Sequence, residues 1–79
     1  MGRKVSFGEY RVGKDFNPSQ NKTVDQIKTL AAGLIDLIDG IQVTAEPDDE
    51  TIRLKKLAMT AIEDGAMWAV KAATKKSWE

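Results

Sequence analysis

The feature that most constrains the fold is residues 47–76, a 30-residue stretch whose only proline stands at its first position. A helix tolerates proline there, because its missing N–H would be unpaired anyway. Asp48, Asp49 and Glu50 complement the positive end of the helix dipole. The stretch is rich in alanine and has apolar residues at helical spacing, so it predicts a single helix roughly 45 Å long at about 1.5 Å per residue.

This predicted helix has two apolar faces. One face contains Leu54, Leu57, Ala58, Ala61, Gly65, Trp68 and Ala72, and the other contains Met59, Ile62, Ala66, Met67, Val70 and Ala73. One partner helix covers only one face, so we expect self-association to bury the other. Trp68, which lies between small residues, is expected to pack in a core or a subunit interface.

A second helix is predicted over residues 23–39. Thr23-x-x-Gln26 fits a capping box, and Asn21 is the competing cap, which would lengthen the helix by two residues. Apolar residues recur three and four apart at Val24, Ile27, Ala31, Leu34, Ile38 and Ile41, and this face is widened by Leu30, Ile35 and Leu37. This spacing is typical of an amphipathic helix.

Glycines are expected at the helix ends and at one helix contact. Gly40 would end the first long helix in the left-handed conformation, and Gly33 would allow another helix to approach closely. Residues 1–22 show no sustained period and contain Gly8, Gly13 and Pro18, so we predict an irregular arm. Residues 1–79 are therefore predicted to form one all-α domain, an antiparallel two-helix hairpin with an irregular N-terminal arm, assembling into a compact homo-oligomer.

Composition excludes several classes of function. The chain has neither cysteine nor histidine, which removes disulfides, thiolate and imidazole metal ligands, and histidine-based catalysis. Glu63 and Asp64 are adjacent and point in different directions, so they are not a catalytic carboxylate pair. We expect no enzyme, no metal and no cofactor. With no stretch of about 18 apolar residues and no signal-peptide core, we expect a soluble cytoplasmic protein without a membrane partner.

Charge is distributed unevenly although the net charge is zero. Residues 1–28 carry six Lys/Arg and three Asp/Glu. Residues 29–64 carry three Lys/Arg and eight Asp/Glu, and residues 65–79 carry three Lys/Arg and one Asp/Glu. Antiparallel helices would bring the two basic segments to one pole, which suits phosphate groups. The alternative is ordinary helix-end charge, which also accounts for Lys71 and Lys75 near the chain end.

Tyr10 and Phe16 are two of the three aromatic residues within the basic N-terminal segment. The basic residues nearby are Arg11, Lys14, Lys22 and Lys28. Aromatic faces stack on bases and basic side chains bind phosphate, so this set fits a nucleotide. The alternative is that either aromatic only holds the arm against the helices and that the lysines are solvated surface.

Two segments, FNPSQNKTVDQIKTLAAGLIDLID and LAMTAIEDGAMWAVKAATKK, carry a resemblance that covers residues 10–76. The chain resembles the helical-hairpin domain of two phage immune-evasion families, the anti-CBASS cyclic-nucleotide sponges and the Thoeris anti-defence sponges. The most specific shared parts are Asn17-Pro18, Val24-x-x-Ile27-Lys28, Leu34-Ile35-Asp36 and Ala58-x-Thr60-x-Ile62-Glu63 leading to Met67-Trp68-Ala69.

The resemblance implies a compact homo-oligomer, typically a hexamer, that sequesters cyclic nucleotides in the host cytoplasm without cleaving them. It implies a cyclic dinucleotide such as cyclic GMP-AMP between protomers, with Tyr10 stacking on a base and Lys28 meeting a phosphate. Arg11, Lys14 and Asn17 complete the expected ligand-binding set. Some members also bind cyclic trinucleotides, at a site with no counterpart identified in this sequence. The short arm favours the anti-CBASS branch over the Thoeris branch.

Two other functions stay open. The first is a sponge for a cyclic ADP-ribose-type Thoeris signal. The second is a small helical adaptor that binds a protein or a nucleic acid through the same basic pole. A nucleic-acid polymer is not the expected partner. A purely structural oligomer would bind neither.

Overall fold

Three helices make up the described part of the protein. The structure is a computed structural model and describes residues 5–14, 17, 20–43 and 49–75. The helices are α1 (Phe7–Val12), α2 (Lys22–Asp39) and α3 (Asp49–Thr74). These described residues contain no strand, and the predicted all-helical class is confirmed. Phe16, Pro18, Pro47 and Lys76, which entered the predictions above, lie outside the described residues.

The N-terminal arm is not irregular throughout, which corrects the prediction, because residues 7–12 form α1. Ser6 caps this helix and forms a capping box with Glu9, each side chain accepting a hydrogen bond from the other's backbone N–H. Gly13 ends it in the left-handed conformation at φ 61°. A six-residue helix has fewer than two turns. It therefore cannot display the periodicity on which the sequence argument depended.

Helix α1 lies against α2 through Gly8. The Gly8 N–H donates to Asp36 Oδ1 at 2.6 Å, and a Cβ atom at position 8 would lie 2.1 Å from the Ala32 carbonyl oxygen. Only glycine permits this approach. Gly33 was expected to play such a role, but a Cβ there would meet no atom within 4 Å in the protomer. The close helix contact is therefore made by Gly8.

Helix α2 begins one residue earlier than predicted, because its cap is Asn21 and not Thr23. The Asn21 side-chain oxygen accepts from the backbone N–H groups of Thr23 at 2.8 Å and Val24 at 3.2 Å. Its amide nitrogen donates to the Ala73 carbonyl at 3.4 Å. The start of α2 therefore lies beside the end of α3, and the two helices are antiparallel.

The core lies where α2 packs against α1 and α3. Its buried apolar residues are Val24, Ala31, Ala32, Ile35, Met59 and Ala66. The buried face of α2 differs from the predicted one, since Ile35 is fully buried whereas Leu34 is 45% exposed. Helix α1 packs beside Ala32 and Asp36 and thereby moves the buried face toward them. The sequence could not indicate this rotation without α1.

The two apolar faces of α3 have different environments. The face with Met59 and Ala66 packs against the rest of the protomer, whereas Leu54, Leu57 and Trp68 on the other face are exposed. Trp68 is 64% exposed, so within the protomer it is not a core residue.

At the opposite end of the hairpin, Lys55 closes the connection between α2 and α3. Its Nζ donates to the carbonyl oxygens of Asp39 at 2.9 Å and Ile41 at 2.8 Å. The first of these is an acceptor that the helix end leaves unpaired. Gly40 lies at φ −78°, so the predicted left-handed ending is wrong. Among the described helices, none is long and apolar enough to cross a bilayer.

Candidate functional site

A cavity of about 270 Å³ opens where the three helices meet. Its charged lining consists of Arg11 from α1, Lys28 from α2, and Glu63 and Lys71 from α3. Its apolar lining consists of Val12, Ala66, Met67 and Val70. Three cations and one carboxylate around an apolar surface favour an anion that also carries a hydrophobic or aromatic part.

Arg11 reaches the cavity from α1 and is held there by α3. Its Nε donates to Glu63 Oε1 at 2.9 Å and its Nη2 to the same oxygen at 2.5 Å. Nη2 also lies 3.5 Å from Thr60 Oγ1, and the guanidinium carbon lies 5.4 Å from the centroid of the Phe7 ring. Arg11 is thus fixed by contacts on two sides.

Lys28 is buried, with only 7% of its surface exposed. Its Nζ donates to the Gly13 carbonyl at 2.9 Å. This contact ties the end of α1 to α2 and brings the ammonium group to the cavity wall. A phosphate placed beside this ammonium group would accept charge-assisted hydrogen bonds from it.

The other predicted site residues lie away from the cavity lining. Tyr10 follows Glu9 on α1 and is 75% exposed, which leaves its ring available for stacking. The Lys14 backbone N–H donates to the Glu9 carbonyl. The Asn17 amide nitrogen donates to the Asn21 carbonyl at 2.9 Å and to Asp25 at 3.2 Å, so Asn17 braces the start of α2.

The structure thus brings Arg11 and Lys28 together in one cavity, with Tyr10 on the adjoining surface of α1. Sequence reasoning missed Glu63 and Lys71 as members of this site. Their positions on α3 carried a signal, because Glu63, Met67, Val70 and Lys71 are spaced by three and four residues and share one helical face. Lys71 also lies over the Trp68 ring, with Nζ 5.7 Å from the centroid.

A helical hairpin with a small cationic cavity defines a binding protein for a compact anionic ligand. The model of the Acb2/Tad1 hairpin domain matches residues 9–74. The chain belongs to this family, the anti-CBASS and anti-Thoeris sponges, as the sequence resemblance indicated. Membership implies a sponge for cyclic nucleotide signals, a role that fits a protein without catalytic activity. No curated protein and no solved structure matches the chain.

Proposed function

We propose that this protein binds a cyclic dinucleotide such as cyclic GMP-AMP and holds it without cleaving it. During phage infection this would keep the messenger in the host cytoplasm from activating a CBASS effector. The observation that carries the proposal is that Arg11 and Lys28, two residues expected from the sequence to bind ligand, line one cavity. A cyclic dinucleotide carries two phosphate charges, for which these cations are suitable partners.

The proposed pose places a phosphate between Arg11 and Lys28 and a base against Tyr10. The apolar lining from Met67 and Val70 would receive part of the sugar or base. Tyr10 is exposed on α1, one position before Arg11, so one short helix would present both the stacking surface and the cation. Neither Lys14 nor Asn17 lines the cavity, and in this proposal both support the arm that carries Tyr10.

We further propose that the binding unit is a homo-oligomer, a hexamer by the family resemblance, in which neighbouring protomers complete the site. A cavity of about 270 Å³ is slightly smaller than typical ligand pockets, which range from about 300 to 1,000 Å³. One protomer would therefore enclose only part of a cyclic dinucleotide. The exposed apolar face of α3 gives a second copy a surface to cover.

The proposal is tested by uptake and release of cyclic GMP-AMP. Protein in excess should deplete the free nucleotide, and heat denaturation should return it intact, as measured by chromatography of the supernatant. Recovery of linear or hydrolysed nucleotide would contradict the sponge and favour an enzyme. Uptake of a cyclic ADP-ribose derivative in preference to dinucleotides would instead assign the chain to the Thoeris branch, which the family also includes.

Two pairs of variants test the site by calorimetric titration. Tyr10→Ala should weaken binding about tenfold or more, because stacking contributes roughly 1–3 kcal/mol per base, whereas Tyr10→Phe should retain most of the affinity. Lys28→Met should also weaken binding about tenfold or more, since charge-assisted hydrogen bonds contribute about 1.5–3 kcal/mol. Its control is Lys22→Met, which removes the same charge from an exposed position on the same helix.

These variants must be folded for the comparison to be valid, and circular dichroism establishes this. If Tyr10→Ala and Lys28→Met both keep the full affinity of the parent, the residue assignment is wrong. If the protein takes up no cyclic nucleotide but binds DNA or RNA with a steep salt dependence, the adaptor function replaces the sponge.

A further inference from the structure

We infer that Glu63 is a positioning residue for the ligand, acting through Arg11. The inference rests on the proposed function and adds Glu63 to the residues that act in ligand binding, a role that the sequence did not indicate. Glu63 lines the cavity, and as an anion it would by itself repel a phosphate. Through its contact with Arg11, however, Glu63 would favour phosphate binding.

The geometry of the ion pair shows how Glu63 can orient Arg11. One carboxylate oxygen, Oε1, accepts hydrogen bonds from both Nε and Nη2 of Arg11. Glu63 therefore holds the guanidinium group along its Nε–Nη2 edge. Arginine has five N–H donors in a planar fork. Within the described part of the chain, Nη1 has no hydrogen-bond partner. The Nη1 end of the fork is therefore available to a phosphate while the Nε side is held.

The Arg11 side chain needs a contact with α3 to fix its position, because the short helix that carries Arg11 gives it little support. It lies on a six-residue helix, whereas Glu63 and Thr60 lie on the 26-residue helix α3. A long side chain that is ordered before binding does not lose that freedom when the ligand arrives, which raises affinity. Glu63 thus fixes in advance the cation that the proposed pose requires.

Positioning and repulsion are separated by comparing Glu63→Gln with Glu63→Ala. Both variants remove the same negative charge, so the gain from lost repulsion is common to them. Glutamine keeps an oxygen that can accept from Nε and Nη2, whereas alanine has none. We expect Glu63→Ala to bind cyclic GMP-AMP about tenfold more weakly than Glu63→Gln, the size of coupling typical of contacting residues.

The same pair in an Arg11→Lys background tests whether Glu63 acts through Arg11. Lysine keeps the charge, so binding stays measurable, but it lacks the fork that Glu63 grips. The difference between the glutamine and alanine variants should therefore fall to about threefold or less. A difference that persists in the lysine background would overturn the inference, and so would equal or tighter binding by Glu63→Ala in the parent protein.

A matched control lies on the same helix. Glu50 pairs with Arg53, with Oε2 2.7 Å from Nη2, at an exposed site. Glu50→Ala and Glu50→Gln should bind the nucleotide equally well. Failure of the parent protein to bind any cyclic nucleotide would contradict the proposed function, whereas binding by the parent without the Gln-to-Ala difference would contradict only the role of Glu63.

Discussion

At the residue scale, Gly8 controls where α1 lies. The buried approach of its backbone to Ala32 leaves no room for a side chain, and its N–H is bonded to Asp36. Since α1 also carries Tyr10 and Arg11, the position of one glycine determines how two proposed ligand-binding residues reach the cavity. Nothing in the sequence distinguished Gly8 from the other glycines, because the contact is made with a residue 24 positions away.

We expect Gly8→Ala to lower the free energy of unfolding by about 1–3 kcal/mol, the usual cost of overpacking. It should also weaken nucleotide binding, because α1 must move away from α2. Gly33→Ala is the control, since a methyl group there meets no protomer atom and alanine favours helix by about 1 kcal/mol. Chemical denaturation measures the free energy of unfolding of both variants. Equal stability of Gly8→Ala and the parent would contradict the close packing of α1.

At the element scale, sequence periodicity predicted α2 and α3 and their antiparallel pairing. What it could not predict was the rotation of α2. Lys28 lies on the buried face, between Val24 and Ala31, because α1 covers that side and Gly13 supplies an acceptor for the ammonium group. A sequence pattern assigns a lysine to the exposed face of a helix, because lysine is a polar residue type. Only the tertiary position of α1 explains its burial and, with it, its place in the cavity.

Because Asn21 caps α2, we expect Asn21→Ala to cost about 1 kcal/mol of stability. Thr23→Ala should have little effect, because in the structure Thr23 lies inside the helix and donates its backbone N–H to Asn21. The two melting temperatures, measured side by side, decide between the two caps that the sequence left open. A larger loss for Thr23→Ala would show that the helix begins at the capping box.

At the scale of the whole molecule, one apolar face of α3 is largely exposed in the protomer. Leu57 and Trp68 on this face are each more than half exposed, and on α2 the side chains of Leu30 and Leu37 are exposed as well. Exposed apolar residues arranged along a helix are typical of a surface that another chain covers. The proposed oligomer would bury this face.

Leu57→Glu should therefore reduce the assembly to a species of 8.7 kDa, because a carboxylate cannot be buried in an apolar interface without a partner. Gln42→Glu adds the same charge at an exposed position outside the helices and should leave the assembly intact. Sedimentation velocity distinguishes the two outcomes. A parent protein that already sediments at the protomer mass would contradict the oligomer.

The cavity joins parts of the chain that are far apart in sequence. The bond between Arg11 and Glu63 and the bond between Asn21 and Ala73 each span 52 residues. Contacts of such long range form only after both partners have been synthesised, and closing the long segment between them costs entropy. During synthesis on the ribosome, the cavity therefore stays open to water until Lys71 has emerged. Uptake of a cyclic nucleotide would then lag behind translation, because only chains that have completed α3 can form the cavity.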